Sequence, residues 1–151
     1  MRLWFQSKNH GQTMMVKPLQ TLVIALTTFT LHSAANAQNY DCSQPDNLPQ
    51  QGMNMCAYEA YLSADEDLNA FYKIARAELK SIDADLPDNM KGGPDALRDA
   101  QRAWITFRDN ACKAEGFMVR GGSLEPFIVS SCKERLTRVR TEDLRSAFEA
   151  H

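Results

Sequence analysis

Three stretches of this chain repeat their apolar and small residues at helical spacing. From Ala57 the series runs through Tyr61, Ala64, Leu68, Phe71, Ala75, Leu79 and Ile82. From Leu97 it runs through Ala100, Trp104, Phe107, Ala111, Ala114 and Met118, alternating steps of three and four without a miss. Residues three and four apart share one face of an α-helix, so each series predicts an amphipathic helix with a core-facing stripe. A third segment, 126–148, carries Ile128, Cys132, Leu136, Val139, Leu144 and Phe148. Its stripe slips between Val139 and Leu144, which predicts looser packing in its second half. No stretch alternates with the period of two that a half-buried strand requires.

The residues between these segments are helix breakers. Pro87-Asp88 and Gly92-Gly93-Pro94 separate the first two helices, and Pro94 suits a first helical position. Gly121-Gly122-Ser123 separates the second and third. Ser123 is placed to cap the third helix, with Glu125 in its first turn, where negative charge favours the helix dipole. Residues 38–52 are polar, contain Pro45, Pro49 and Gly52, and read as an arm, with the helical domain occupying 53–151. The predicted fold is all-α: a three-helix antiparallel bundle with an N-terminal arm and two disulfides.

The disulfides follow from the N-terminus. Residues 1–37 contain no acidic residue; Lys17 precedes an apolar run from Leu19 to Leu31, which leads to Ala35-Asn36-Ala37. This is the pattern of a secretory signal peptide (1–37) cut after Ala37. Its apolar run is 13 residues, short of the roughly 20 needed to span a bilayer. The expected location is therefore periplasmic or secreted, with no stable membrane anchor. Cys42, Cys56, Cys112 and Cys132 all lie beyond the cut, and an even count in a short exported chain implies two bridges. In an antiparallel hairpin, residues equidistant from the turn are level. Cys112 and Cys132 lie ten residues either side of Gly122, which favours Cys112–Cys132 and leaves Cys42–Cys56 to staple the arm to helix one. The competing pairing joins Cys56 to Cys132 and Cys42 to Cys112.

Cleavage would leave 14 basic and 19 acidic residues, a net charge of −5. That surface disfavours nucleic acid and anionic lipid and suits a cationic partner. The remaining histidine is the terminal His151, a poor position for nucleophilic or acid–base catalysis. The cysteine spacings of 14, 56 and 20 hold no C-x-x-C pair, so neither a metal nor another cofactor is expected. A glycosidase would need two facing carboxylates drawn from Asp65, Glu66, Asp67 and Glu115, and a bundle of this length offers little room for a cleft. The chain is not expected to be an enzyme.

Level-matching about Pro87 sets Asp65 beside Arg108 and Asp109, and Asn69 beside Trp104. These residues, flanked by Tyr61 and Tyr72, form a polar cluster at the edge of the core. It reads first as an ion pair that fixes helix register and second as a recognition patch. The Gly-rich turn from Met118 to Pro126, held by the Cys112–Cys132 bond and carrying Arg120, Ser123 and Glu125, is the other candidate surface. The basic residues of helix three (Lys133, Arg135, Arg138, Arg140, Arg145) alternate with Glu134, Glu142 and Asp143, a solvated face and not a nucleic-acid stripe.

Several of these residues also carry a resemblance. Met53-Asn54-Met55-Cys56-Ala57, then Tyr61-Leu62-Ser63-Ala64-Asp65 and Leu68-Asn69, are similar to the opening motif of the LprI-type lysozyme-inhibitor family. So are Leu97-Arg98-Asp99-Ala100-Gln101-Arg102-Ala103-Trp104, Phe107-Arg108-Asp109, Cys112, Gly121-Gly122-Ser123, Pro126, Cys132 and Thr137-x-x-Arg140. The match covers about residues 42 to 145. It implies a small exported helical protein that binds and inhibits a cationic, c-type lysozyme. The matching residues are Asn54, Tyr61, Asp65, Asn69, Trp104, Arg108 and Asp109. Cys42 follows Asn39-Tyr40-Asp41, which is no lipobox, so lipid anchoring is not expected. The alternative is a periplasmic protein-binding or structural envelope domain with no lysozyme activity.

Overall fold

The computed structural model describes residues 39–44 and 47–148. The expected signal peptide and its expected cleavage site lie outside the described residues, as does His151. Three helices account for the domain: α1 (Gln50–Ala84), α2 (Gly93–Gly116) and α3 (Glu125–Phe148). Single 3₁₀ turns at Asp88–Met90 and Phe117–Val119 lie in the two connections. Successive helices run antiparallel, as expected, and no strand occurs among the described residues. None of the described helices is long and apolar enough to cross a membrane.

Helix α1 begins at Gln50, so the last residues read as arm are its first turn. Pro49 supplies the extended entry, and the Met53 N–H closes the turn on the Pro49 carbonyl at 3.0 Å. The arm then folds back on this turn. A Cβ at the buried Gly52 would lie 2.8 Å from the Tyr40 ring, so only glycine lets the arm sit there unshifted. The Cys42–Cys56 bond, with Cα atoms 5.5 Å apart, fastens it.

The entry of α2 is held from α1. The Asp83 carboxylate accepts the backbone N–H groups of Gly92 at 2.8 Å and Gly93 at 3.2 Å. A carboxylate at a helix N-terminus satisfies donors that have no partner within the helix and favours its dipole. Gly92 has φ 137°, a conformation that needs glycine, and Pro94 sits in the first helical turn as predicted.

The core confirms the α1 stripe. Ala57, Ala64, Leu68, Phe71 and Ala75 are buried, and Leu68, Phe71 and Ala75 cluster with Leu97 of α2 and Leu144 of α3. Tyr72, Leu79, Trp104 and Phe148 pack around them. Each fully buried large side chain stabilises the fold by about 1.5–3 kcal/mol. Ile82, at the end of the series, is exposed.

The α2 stripe is different. The buried residues are Leu97, Gln101, Arg108, Cys112 and Gly116, whereas Phe107 is 59 % and Met118 88 % exposed. The helix is rotated about one residue from the orientation that apolarity predicts. The cause is specific: Cys112 must face Cys132, and Arg108, one turn earlier, then points inward to partners on both other helices. In α3 the slip in the pattern has a similar meaning. Thr137 and Thr141 carry the buried face past the exposed Val139, and Thr141 Oγ1 donates to the Thr137 carbonyl at 3.0 Å.

The second disulfide, Cys112–Cys132, has a Cα–Cα distance of 5.4 Å. Both pairings are the ones favoured by level-matching. Just beyond it, Gly116 is buried so closely under α3 that a Cβ would come within 2.5 Å of Val129 Cγ2.

Candidate interaction surface

Arg108 sits at the centre of the predicted polar cluster and is only 4 % exposed. Its guanidinium donates to Asp65 Oδ1 at 2.8 Å, to Asp109 Oδ1 at 3.0 Å and to Thr137 Oγ1 at 3.3 Å. One side chain therefore bridges all three helices. Its guanidinium carbon lies 5.2 Å from the ring centroids of both Tyr61 and Trp104, within cation–π range. Asn69 donates to Asp65 Oδ2 at 3.0 Å, steadying the carboxylate on its own helix. Lys133 adds a second cation, 3.4 Å from Asp109 and 5.5 Å from the Tyr61 centroid.

The electrostatics agree with this geometry. Burial alone would depress the Arg108 pKa, but hydrogen bonds to Asp65 and Asp109 outweigh it and hold the group above its ordinary value. Burial raises the Tyr61 hydroxyl above 10.0; Arg108 opposes that shift, and Asp65 and Asp109 reinforce it. Among the described residues no fully buried side-chain nitrogen or oxygen lacks a hydrogen-bond partner. The cluster is a satisfied interior network of the type that sets helix register.

The turn after α2 is built in the opposite way. Phe117 is 64 % exposed and Met118 88 %, and Leu124 is also exposed. Beneath them Glu125 reaches back, accepting the Gly121 N–H at 2.7 Å and pairing with Arg120 at 2.9 Å. Arg120 in turn lies 5.7 Å over the Phe117 ring. Gly121 has φ 78°, which allows the reversal. Leu124, not Ser123, directly precedes α3. The Ser123 carbonyl instead accepts the Asn54 side chain at 3.0 Å, and Gln50 donates to Asn54 at 2.8 Å. The turn is thus braced by a disulfide at its base, by an ion pair, and by α1.

The expected site residues therefore fall into two groups. Asp65, Asn69, Trp104, Arg108 and Asp109 meet in the middle of the bundle, joined by Lys133 and Thr137, which the sequence reading did not select. Arg120, Ser123 and Glu125 lie at one end. Phe117 was not selected there, and Met118 was read both as the last member of the α2 stripe and as the first residue of this turn; the apolar run Phe117-Met118-Val119 was the signal for both. A groove of about 340 Å³ beside this turn is lined by Tyr58, Tyr61, Glu125, Pro126, Val129 and Lys133. Of the four carboxylates considered for glycosidase chemistry, three are in ion pairs: Asp65 with Arg108, Asp67 with Arg138 at 3.9 Å and Glu115 with Arg135 at 2.9 Å.

The chain is thus a disulfide-stapled helical bundle with one braced turn that exposes apolar side chains. Comparison with known proteins places this fold in a family. Residues 42–144 match the model of the LprI lysozyme inhibitor family, and the chain belongs to that family. It is also 40 % identical over 119 residues to an uncharacterized protein of Rhizobium meliloti (strain 1021), covering 77 % of this chain and 86 % of that one. No solved structure matches it.

Proposed function

We propose that this protein acts after export, binding and inhibiting a cationic c-type lysozyme through the Phe117–Glu125 turn. The observation that carries the reading is that Phe117 and Met118, in a family of lysozyme inhibitors, are exposed on a turn that is fixed at its base. An inhibitor that presents a preorganised apolar projection loses little conformational freedom on binding. Such residues are also the usual energetic centres of interfaces when they enter a pocket on the partner. Arg120 stands beside them as a cation able to face the carboxylate pair of a muramidase cleft, and Tyr58 and Tyr61 flank the adjoining groove. The net charge of −5 after signal removal accelerates encounter with a basic enzyme, mainly through the on-rate.

In this reading the Arg108 cluster holds the scaffold and does not touch the partner. Titrating the mature protein against c-, g- and i-type lysozymes tests the proposal. Salt-sensitive inhibition of the c-type enzyme is expected. No inhibition of any of the three would favour the alternative, an envelope-binding domain using the same turn for another protein.

A further inference from the structure

We propose that the face formed by α1 and the start of α2 is a binding groove for a carboxylate-bearing glycan, separate from the turn assigned to lysozyme. The groove, about 480 Å³, is lined by Tyr72, Lys73, Arg76, Ala77, Lys80 and Pro94. Three cations thus line one side of it, on a chain whose net charge is negative.

These cations differ from most others on the molecule. Lys91, Arg98, Arg108, Arg120, Lys133, Arg135, Arg138 and Arg145 each contact a carboxylate. Among the described residues, Lys73, Arg76 and Lys80 have no ion pair. Their helical neighbours explain why. The positions three and four away from them are Asn69, Ala70, Tyr72, Ala77, Leu79, Asp83 and Ala84, besides one another. The one carboxylate there, Asp83, is committed to the N–H groups of Gly92 and Gly93. Asp95, next to Pro94, is committed to Arg98 at 2.6 Å. Like charges three and four apart on a helix repel, so the arrangement is unfavourable until an anion joins it.

The eight residues from Lys73 to Lys80 span about 10 Å of helix. That is close to the Debye length of about 8 Å at physiological salt, so the three charges act on a ligand together; Glu78, within the same span, is two residues from Arg76 and from Lys80 and so falls on a different face of the helix. Between them the groove offers the half-buried Tyr72 with Ala77 and Pro94, an apolar floor suited to the C–H face of a pyranose ring. Repeated carboxylates along a stiff sugar chain complement a row of cations beside such a floor. A phosphate headgroup or an acidic peptide would use the cations and leave the floor unused.

Binding of oligogalacturonate to the mature protein tests this, measured by calorimetry beside a neutral chito-oligosaccharide, phosphatidylglycerol vesicles and poly-glutamate. The expected result is salt-sensitive binding of oligogalacturonate alone, weakened roughly tenfold or more in the triple variant Lys73→Gln, Arg76→Gln, Lys80→Gln. These side chains are exposed, so circular dichroism and lysozyme inhibition should match the parent. The double variant Arg102→Gln, Lys113→Gln, which removes two exposed cations elsewhere, should bind as the parent does. The proposal is overturned if the parent does not bind, if the double variant loses as much affinity as the triple, or if neutral glycan, vesicles or poly-glutamate bind equally well.

Discussion

The Arg108 cluster and the Phe117–Glu125 turn are both centred on an arginine beside carboxylates and an aromatic ring, yet they have opposite surroundings. Arg108 is buried, bridges three helices and has its donors met by Asp65, Asp109 and Thr137. Arg120 is exposed, pairs with Glu125 across five residues and leaves Phe117 and Met118 in solvent. An interior charge network is costly to break because the surviving groups lose their partners, whereas an exposed pair is worth about 0–1 kcal/mol. The first region is therefore the costlier one to disturb, and the second is free to serve recognition.

The largest effect should come from Arg108→Ala. It strands Asp65 and Thr137 and opens space between Tyr61 and Trp104. A loss of about 3 kcal/mol is expected in a urea melt, at the low end for buried pairs because both carboxylates reach solvent. Inhibition by the folded fraction should be unchanged. A drop in inhibition with an unaltered melt would reverse the assignment of the two regions. Replacing Cys112 and Cys132 by serine opens a 20-residue loop and should cost about 2–4 kcal/mol. It should also weaken inhibition, since it frees the base of the turn; an effect on stability alone would show that the turn is ordered without the bond.

Gly116→Ala probes the same junction more gently. Alanine gains about 1 kcal/mol of helix propensity, but its Cβ meets Val129 at 2.5 Å, and overpacking of this type costs about 1–3 kcal/mol. A small net destabilisation is expected by thermal melting; a stabilised variant would mean that α2 and α3 can separate there freely. The smallest effect concerns Tyr61. Its folded pKa lies above the unfolded value of 10.0, so its contribution to stability is complete below pH 10 and declines as pH rises through the folded value. Ultraviolet titration should show a late tyrosine ionisation that disappears in Tyr61→Phe; loss of an early phase instead would contradict that placement.

Much of this organisation was legible in the sequence, and the exceptions share a cause. The α1 stripe is apolar on one face, so period alone located it; equal distance from the turns located the Cys112–Cys132 bond and the Asp65–Arg108 pair, and Cys42–Cys56 followed as the remaining pair. Helix α2 carries two stripes. One, the apolar series, is Leu97, Ala100, Trp104, Phe107, Ala111, Ala114 and Met118; the other, which shares Leu97 and Trp104 with it, is Leu97, Gln101, Trp104, Arg108, Cys112 and Gly116. Apolarity selects the first, but the bundle buries the second, because the polar members find partners on α1 and α3 that a single helix does not reveal. Stepping back by four from Cys112 leads to Arg108 and Trp104, so the disulfide held the better clue. The role of Glu125 was half legible: its place in the first turn of α3 was read correctly, while its reach back to Gly121 depends on the folded turn.

The most direct test of this division is one double variant, Phe117→Ala with Met118→Ala, assayed for c-type lysozyme inhibition and for thermal stability in the same preparation. Both side chains are mostly in solvent, so the melting free energy should change by no more than about 0.5 kcal/mol. Inhibition should weaken by roughly tenfold or more, as expected when exposed anchors that enter a partner's pocket are removed. Full inhibition by the folded double variant would contradict the account and move the binding surface away from the turn.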